Sequence, residues 1–262
     1  LIAASIFLRM ITFCVLADPS LVSRVSKETM SEQLLLELLF ADFSHQLAFK
    51  SSDGSFKDIV EWYLCNFRPD GSVRMIVWEF DSNDEEMDYA IIGSTPHGSM
   101  NFQWLPLRTE ECTLTDMNLT GTVDTEALPA TLVEFSINDN KLSGTFSVAG
   151  LPRIMENLNI ADNRFEGSFH LEELPRTMKN VAMPRNRFLG SLNCTNLPPN
   201  FQSMSAFSNY FTGSIDLSNL PHSLRTLSLR SNLFHQDIIR IDNRSENLQG
   251  IYLGHGSYRH LE

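Results

Sequence analysis

Leu151–Glu173 reads LPRIMENLNIADNRFEGSFHLEE, and the segment that follows it, Leu174–Asn196, reads LPRTMKNVAMPRNRFLGSLNCTN. Laid over one another, the two keep Leu-Pro at the start, Met155 over Met178, Leu158 over Val181, Asn163 over Asn186, Phe165 over Phe188 and Gly167 over Gly190. Working outward, Leu-Pro recurs at Leu105, Leu128, Leu151, Leu174, Leu197 and Leu220 without an insertion. Asparagine keeps the same interval at Asn140, Asn163, Asn186, Asn209 and Asn232, and glycine at Gly121, Gly144, Gly167, Gly190 and Gly213. A unit this short cannot enclose an apolar core of its own. It buries its apolar side only against its neighbours, which is the definition of a solenoid.

Within the unit, Leu158 and Ile160 alternate with Asn157, Asn159 and Ala161, the pattern of a strand buried on one face. Stacked units turn these strands into a parallel sheet. Each repeated asparagine carries a donor and an acceptor on one short side chain. The spacing therefore assigns Asn140, Asn163, Asn186, Asn209 and Asn232 to the scaffold, satisfying backbone where the chain leaves the strand. Leu142, Phe165, Phe188, Phe211 and Phe234, two residues later, form an interior apolar row. In Gly144–Val148, Gly167–Leu171 and Gly213–Leu217, glycine followed by alternation predicts a corner and then a short strand on the opposite side of the coil. His170 faces outward in this scheme.

Met155–Phe165 and Leu224–Phe234 fit L-x-x-L-x-L-x-x-N-x-L, and over residues 105–242 the chain resembles the leucine-rich repeat family, in its plant-like or protist-type variant with an L-x-G-x-I element. The resemblance implies a right-handed, mainly β coil with a concave parallel sheet, little helix in the repeats, and protein recognition or assembly as the role.

Ahead of the repeats, residues 30–104 are expected to form an N-terminal cap. Thr29–Glu32 has capping-box spacing and Leu35, Leu39, Phe43 and Leu47 share one line, which predicts a helix from about Ser31 to Ala48. Ile59–Phe67 and Val73–Phe80 flank Arg68-Pro69-Asp70-Gly71 and predict a hairpin. Gly98–Phe102 is a half-coil in which the repeat begins. Met117 stands where other coils carry asparagine, so the first coil is expected to be distorted or part of the cap. Residues 243–262 are expected to close the stack. Residues 1–29 are read as a leader or targeting segment of open status, and for the apolar Leu1–Ala17 a signal remnant, a transit peptide and an artefact of translated transcript stay open, with Met30 as a candidate start in the last case.

Composition narrows function. The net charge is −12, with 7 basic and 15 acidic side chains in residues 1–104 and 11 and 15 in residues 105–242. Such a chain lacks the footprint for phosphate backbones, so no nucleic-acid partner is expected. Cys14, Cys65, Cys112 and Cys194 form no C-x-x-C pair. Cys112 and Cys194 replace core residues, and the missing paired cysteines favour an intracellular or organellar compartment over a secreted one. Sequons occur at Asn118, Asn193 and Asn243 and do not establish secretion. Asp81, Asp84, Glu85, Glu86 and Asp88 lack the glycine and the bidentate glutamate of a calcium loop and read as a solvated loop. Gly254-His255-Gly256 lacks the context of a dinucleotide loop. No membrane span, metal set, cofactor motif or catalytic constellation is legible, and the expectation is a non-catalytic module.

With Leu158 and Ile160 turned inward, the positions between and after them line the concave, solvent-facing side of the sheet. Acidic residues fall on the early coils, including Asp139 and Asp162, and Arg185 and Arg230 on the later ones. Phe207 is an aromatic among serines. The partner-binding expectation therefore names Phe207, Arg185, Arg230, Asp139 and Asp162, facing an unidentified protein partner of an adaptor or structural subunit. The alternative is a secreted or cell-surface receptor-like ectodomain.

Overall fold

A computed structural model describes residues 26–44, 46–79, 96–235, 238–239, 247–254 and 260–261. Its spine is a nine-stranded sheet: Cys65–Phe67, Val73–Glu79, Glu111–Thr115, Glu134–Ser136, Asn157–Asn159, Asn180–Ala182, Ser203–Ser205, Thr226–Ser228 and Gly250–Tyr252, in that order. The first two strands are antiparallel and every later neighbour is parallel. Register follows the repeat, with Leu158 beside Phe135 and Val181. In the six strands from Glu111–Thr115 to Thr226–Ser228 the inward apolar residue, Cys112, Phe135, Leu158, Val181, Met204 or Leu227, is buried, whereas Asn157 and Asn159 on either side of Leu158 are half-buried.

Two interior columns hold the coils together. Asn163 Oδ1 accepts from Leu142 N (3.0 Å) of the preceding coil, and its Nδ2 donates to Ile137 O (2.8 Å), Ala161 O (3.0 Å) and Ile160 O (3.4 Å). Asn140, Asn186, Asn209 and Asn232 repeat this arrangement one coil at a time. One carboxamide thus ties two coils, and a buried backbone group without a partner is costly. Beside it, Phe165, Phe188, Phe211 and Phe234 stack at 6.1–6.4 Å with interplanar angles of 14° or less.

The strand on the opposite side is displaced from its expected place. The four-stranded sheet Ser143–Thr145, Arg164–Ser168, Arg187–Gly190 and Tyr210–Phe211 includes Gly144, Gly167 and Gly190 and ends short of Gly213, instead of starting after the glycine. Asparagine explains the shift: its Oδ1 captures the N–H of Leu142, Phe165, Phe188 or Phe211, so pairing begins there. Glycine then turns inward, sending Phe146, Phe169 and Ile215 into the core. Gly144 and Gly167 sit at φ +81° and +83°, and a Cβ on either would meet the preceding coil's threonine at 3.0–3.1 Å. The repeats contain short 3-10 turns, such as Leu171–Glu173, and no α-helix among the described residues. His170 is exposed, 3.5 Å from Glu172.

The helix of the cap is Glu32–Leu39, N-capped by Ser31 Oγ, which accepts from Leu34 N at 3.2 Å. It stops well short of Ala48. Gln46 Nε2 donates to the carbonyls of Phe40 (2.9 Å) and Ala41, and the turn carries Phe40, Phe43 and Phe49 onto Trp62 and Trp78. Burying five rings outweighs extending an α-helix by two turns. The hairpin pairs Cys65–Phe67 with Val73–Glu79, while Ile59–Glu61 is a 3-10 turn capped by Asp58. Gly98–Ser99 pairs in parallel with Leu119–Thr120, the half-coil read from the sequence. In the first coil both Asp116 and Asn118 take positive φ, whereas each later coil has one such residue besides glycine among the described residues. Met117 cannot supply the carboxamide, and Asn140 reaches back to its N–H at 3.1 Å.

Gly250–Tyr252 lies in the segment expected to close the stack and adds one more parallel strand. Leu248, Ile251 and Leu253 pack on the core and follow Leu224, Leu227 and Leu229 by one residue more than the period. That slip hid them. The acidic run 81–88, His255-Gly256, Asn243 and residues 1–25 lie outside the described residues.

Candidate functional site

The outer face of the long sheet forms a groove of about 440 Å³ that reaches from Glu134 to Tyr252. Its floor is small and polar. Asn180 Nδ2 donates to Asn157 Oδ1 (2.7 Å) and Ser203 Oγ to Asn180 Oδ1 (2.6 Å), so register neighbours form a hydrogen-bonded ladder. At the C-terminal end the small side chains give way to Phe207, Arg230 and Tyr252, all lining the groove.

These three belong to one stack. The Arg185 guanidinium lies 5.0 Å from the centroid of Phe207 and that of Arg230 lies 5.4 Å away; Arg230 also lies 5.9 Å from Tyr252. Arg185 Nη1 reaches Asp162 Oδ2 at 3.1 Å. The row Asp162, Arg185, Phe207, Arg230, Tyr252 therefore crosses five coils. Cation–π contacts hold Phe207 half-buried where it would otherwise lie free on the strand surface. Arg185 occupies the residue before the scaffold asparagine, at φ 50°, in line with Asp116, Asp139 and Asp162 at 52–55°. Aspartate and asparagine tolerate this region best. An arginine here bears a backbone cost that its two contacts offset.

Charge is paired in the middle of the face and unpaired at its ends. Lys179 Nζ meets Glu156 Oε2 at 2.6 Å, and Asp162 meets Arg185. Glu110 is held below the usual carboxylate range by hydrogen bonds from Arg74 and then Arg68. Glu111, Glu134, Asp116 and Asp139 form no ion pair among the described residues. Desolvation, then the neighbouring Glu134, pushes the Glu111 carboxyl up; desolvation, then Asp139, does the same to Asp116. Arg230 likewise has no carboxylate partner among the described residues.

Of the residues singled out in the sequence, Phe207, Arg185, Arg230 and Asp162 come together. Asp139 does not join them: it accepts from Asn138 Nδ2 at 2.6 Å and faces Asp116. Tyr252 was missed because its coil is out of phase. The Asp162–Arg185 pair was within reach, since the two occupy one repeat position in adjacent coils. Cys65, Cys112 and Cys194 are free thiols, and burial holds Cys65 and Cys194 at about 12. Among the described residues no three metal-ligating side chains cluster and no helix is long and apolar enough to cross a membrane.

No family model matches the chain and no curated protein does. Solved structures do. A crystal structure of a Pollen Receptor Kinase 3 superposes with TM-score 0.54 at 19% identity, covering 88% of this chain and 95% of that one. The leucine-rich repeat ectodomain of the plant membrane receptor kinase GASSHO1/SCHENGEN3 from Arabidopsis thaliana gives 0.56 at 17%, covering 80% of this chain and 24% of that one. The PEPR1–AtPEP1 structure gives 0.55 at 14%, covering 88% and 42%. Together with the stacked asparagine column, these define the fold: the chain is a leucine-rich repeat solenoid.

Proposed function

We propose that this chain is a non-catalytic recognition module that binds another protein across the outer face of its long sheet, as an adaptor or structural subunit. The row Asp162–Arg185–Phe207–Arg230–Tyr252 carries the reading. An aromatic ring clamped between guanidinium groups, on a floor of hydroxyls and amides, is the composition of an interface anchor. The four spacings between these five coils cover about 19 Å, the scale of a standard footprint. Phe207 is the apolar anchor, Arg185 holds it in place, and Arg230 presents a charge. A second reading, a receptor-like ectodomain, is favoured by the receptor kinases among the similar structures and by the exposed sequon Asn193, whose Oδ1 accepts from Thr195 Oγ1 at 2.7 Å.

The test is capture of partners from native extract by the wild type and by the triple variant Phe207→Ser, Arg185→Glu, Arg230→Glu. The expected result is loss of the captured proteins with the fold intact. Recovery of the same proteins by both would remove this face from the account. Mass spectrometry of the native protein separates the readings: a glycan on Asn193 supports the ectodomain, and an unmodified Asn193 supports the adaptor.

A further inference from the structure

Resting on that recognition reading, we infer that the occupant of the groove is an extended polypeptide segment of dipolar charge, with a basic side chain over the early coils and an acidic group about six or seven residues away, on Arg230. Three observations converge. Carboxylates without an ion pair gather at one end of the face, on Glu111 and Glu134, which are register neighbours, and on Asp116 beside Asp139. The charges between the ends are already neutralised within the protein, by Asp162–Arg185 and Glu156–Lys179. At the other end Arg230 is held between Phe207 and Tyr252 with no carboxylate partner among the described residues. Beside it on the groove wall, Ser228 Oγ is buried without a hydrogen-bond partner among the described residues.

An arginine fixed against two rings has lost its side-chain freedom before a ligand arrives, so a carboxylate meets a preorganised donor fork. The spacing follows from the sheet. From the strand of Glu134 to that of Thr226 are four strand steps, and from Glu111 five, or roughly 19–24 Å at about 4.8 Å per step. An extended chain advances about 3.3 Å per residue, so the two ligand charges stand roughly six to seven residues apart. The amide and hydroxyl floor between them suits a polar stretch of small residues.

The experiment is selection of random twelve-residue peptides displayed against the immobilised full chain, followed by fluorescence anisotropy of one enriched synthetic peptide. The expected result is enrichment of an acidic residue six or seven positions from a basic one. Arg230→Gln, and separately Glu111→Gln with Glu134→Gln, should each weaken that peptide about 3-fold or more. The charge-exchanged chain, Arg230→Glu with Glu111→Lys and Glu134→Lys, should prefer the peptide with its two charges exchanged. If that chain does not fold, the glutamine variants carry the test. Failure to enrich any peptide, enrichment without this spacing, or affinity unmoved by Arg230→Gln overturns the inference. The recognition reading is judged apart from it, by the triple variant's loss of native partners.

Discussion

Adjacent residues of each coil meet opposite fates. The scaffold position reads Asn140, Asn163, Asn186, Asn209, Asn232, while the residue just before it reads Asp139, Asp162, Arg185, Ser208, Ser231. The first column is asparagine in every coil after the first because each member must satisfy backbone atoms of two coils. The second shares only a positive φ, and its side chains change sign along the stack. Geometry fixes the inside; the outside is free to vary.

Substitutions that break this comparison fall in an order of size. Phe188→Ala removes a ring stacked on Phe165 and Phe211 and should cost about 3–5 kcal/mol by denaturant titration. Asn163→Ala strands buried backbone groups of two coils and should cost about 1–3 kcal/mol, against about 0.5 for Asn159→Ala on the face; equal losses would refute the division. Arg185→Val forces a β-branched residue into the left-handed region and should cost about 1–2 kcal/mol, whereas Arg185→Asn should stay within about 0.5.

The smallest effect is electrostatic. Glu111 titrates above its ordinary value of 4.5 in the fold. The folded state therefore binds that proton more readily, and its contribution is present below 4.5 and lost as pH rises through the raised value. Glu111→Gln should accordingly match or exceed wild-type stability at pH 7, by about 0.5 kcal/mol at most, with the advantage vanishing near pH 4. A variant less stable at pH 7 would mean that the early-coil carboxylates do not repel.

Much of this was legible in the sequence, because solenoid physics repeats: one interval places the strands, the asparagine column and the phenylalanine stack together. Phe207, Arg185 and Arg230 stood out because the interior positions are accounted for and theirs are not. What escaped has particular causes. The helix ended early because Gln46 caps it and five aromatic rings gather behind the turn, contacts between residues distant in sequence. The opposite strand began earlier because the asparagine of the next coil captures an N–H ahead of the glycine. Tyr252 was hidden by a single-residue slip. The positive φ just before the scaffold position had a signal, the aspartates at 116, 139 and 162, which the charge pattern obscured.

The division between scaffold and recognition face is tested most directly by measuring stability and partner affinity together for Asn209→Ala and Phe207→Ser, two residues apart in one coil. Asn209 donates to Met183 O at 2.9 Å and accepts from Phe188 N at 3.1 Å. Asn209→Ala should lower unfolding stability by about 1–3 kcal/mol and leave the folded protein's affinity unchanged. Phe207→Ser should leave stability within about 0.5 kcal/mol and weaken partner binding by about 1–3 kcal/mol. The reverse pattern, affinity lost with Asn209 and stability lost with Phe207, would contradict the account.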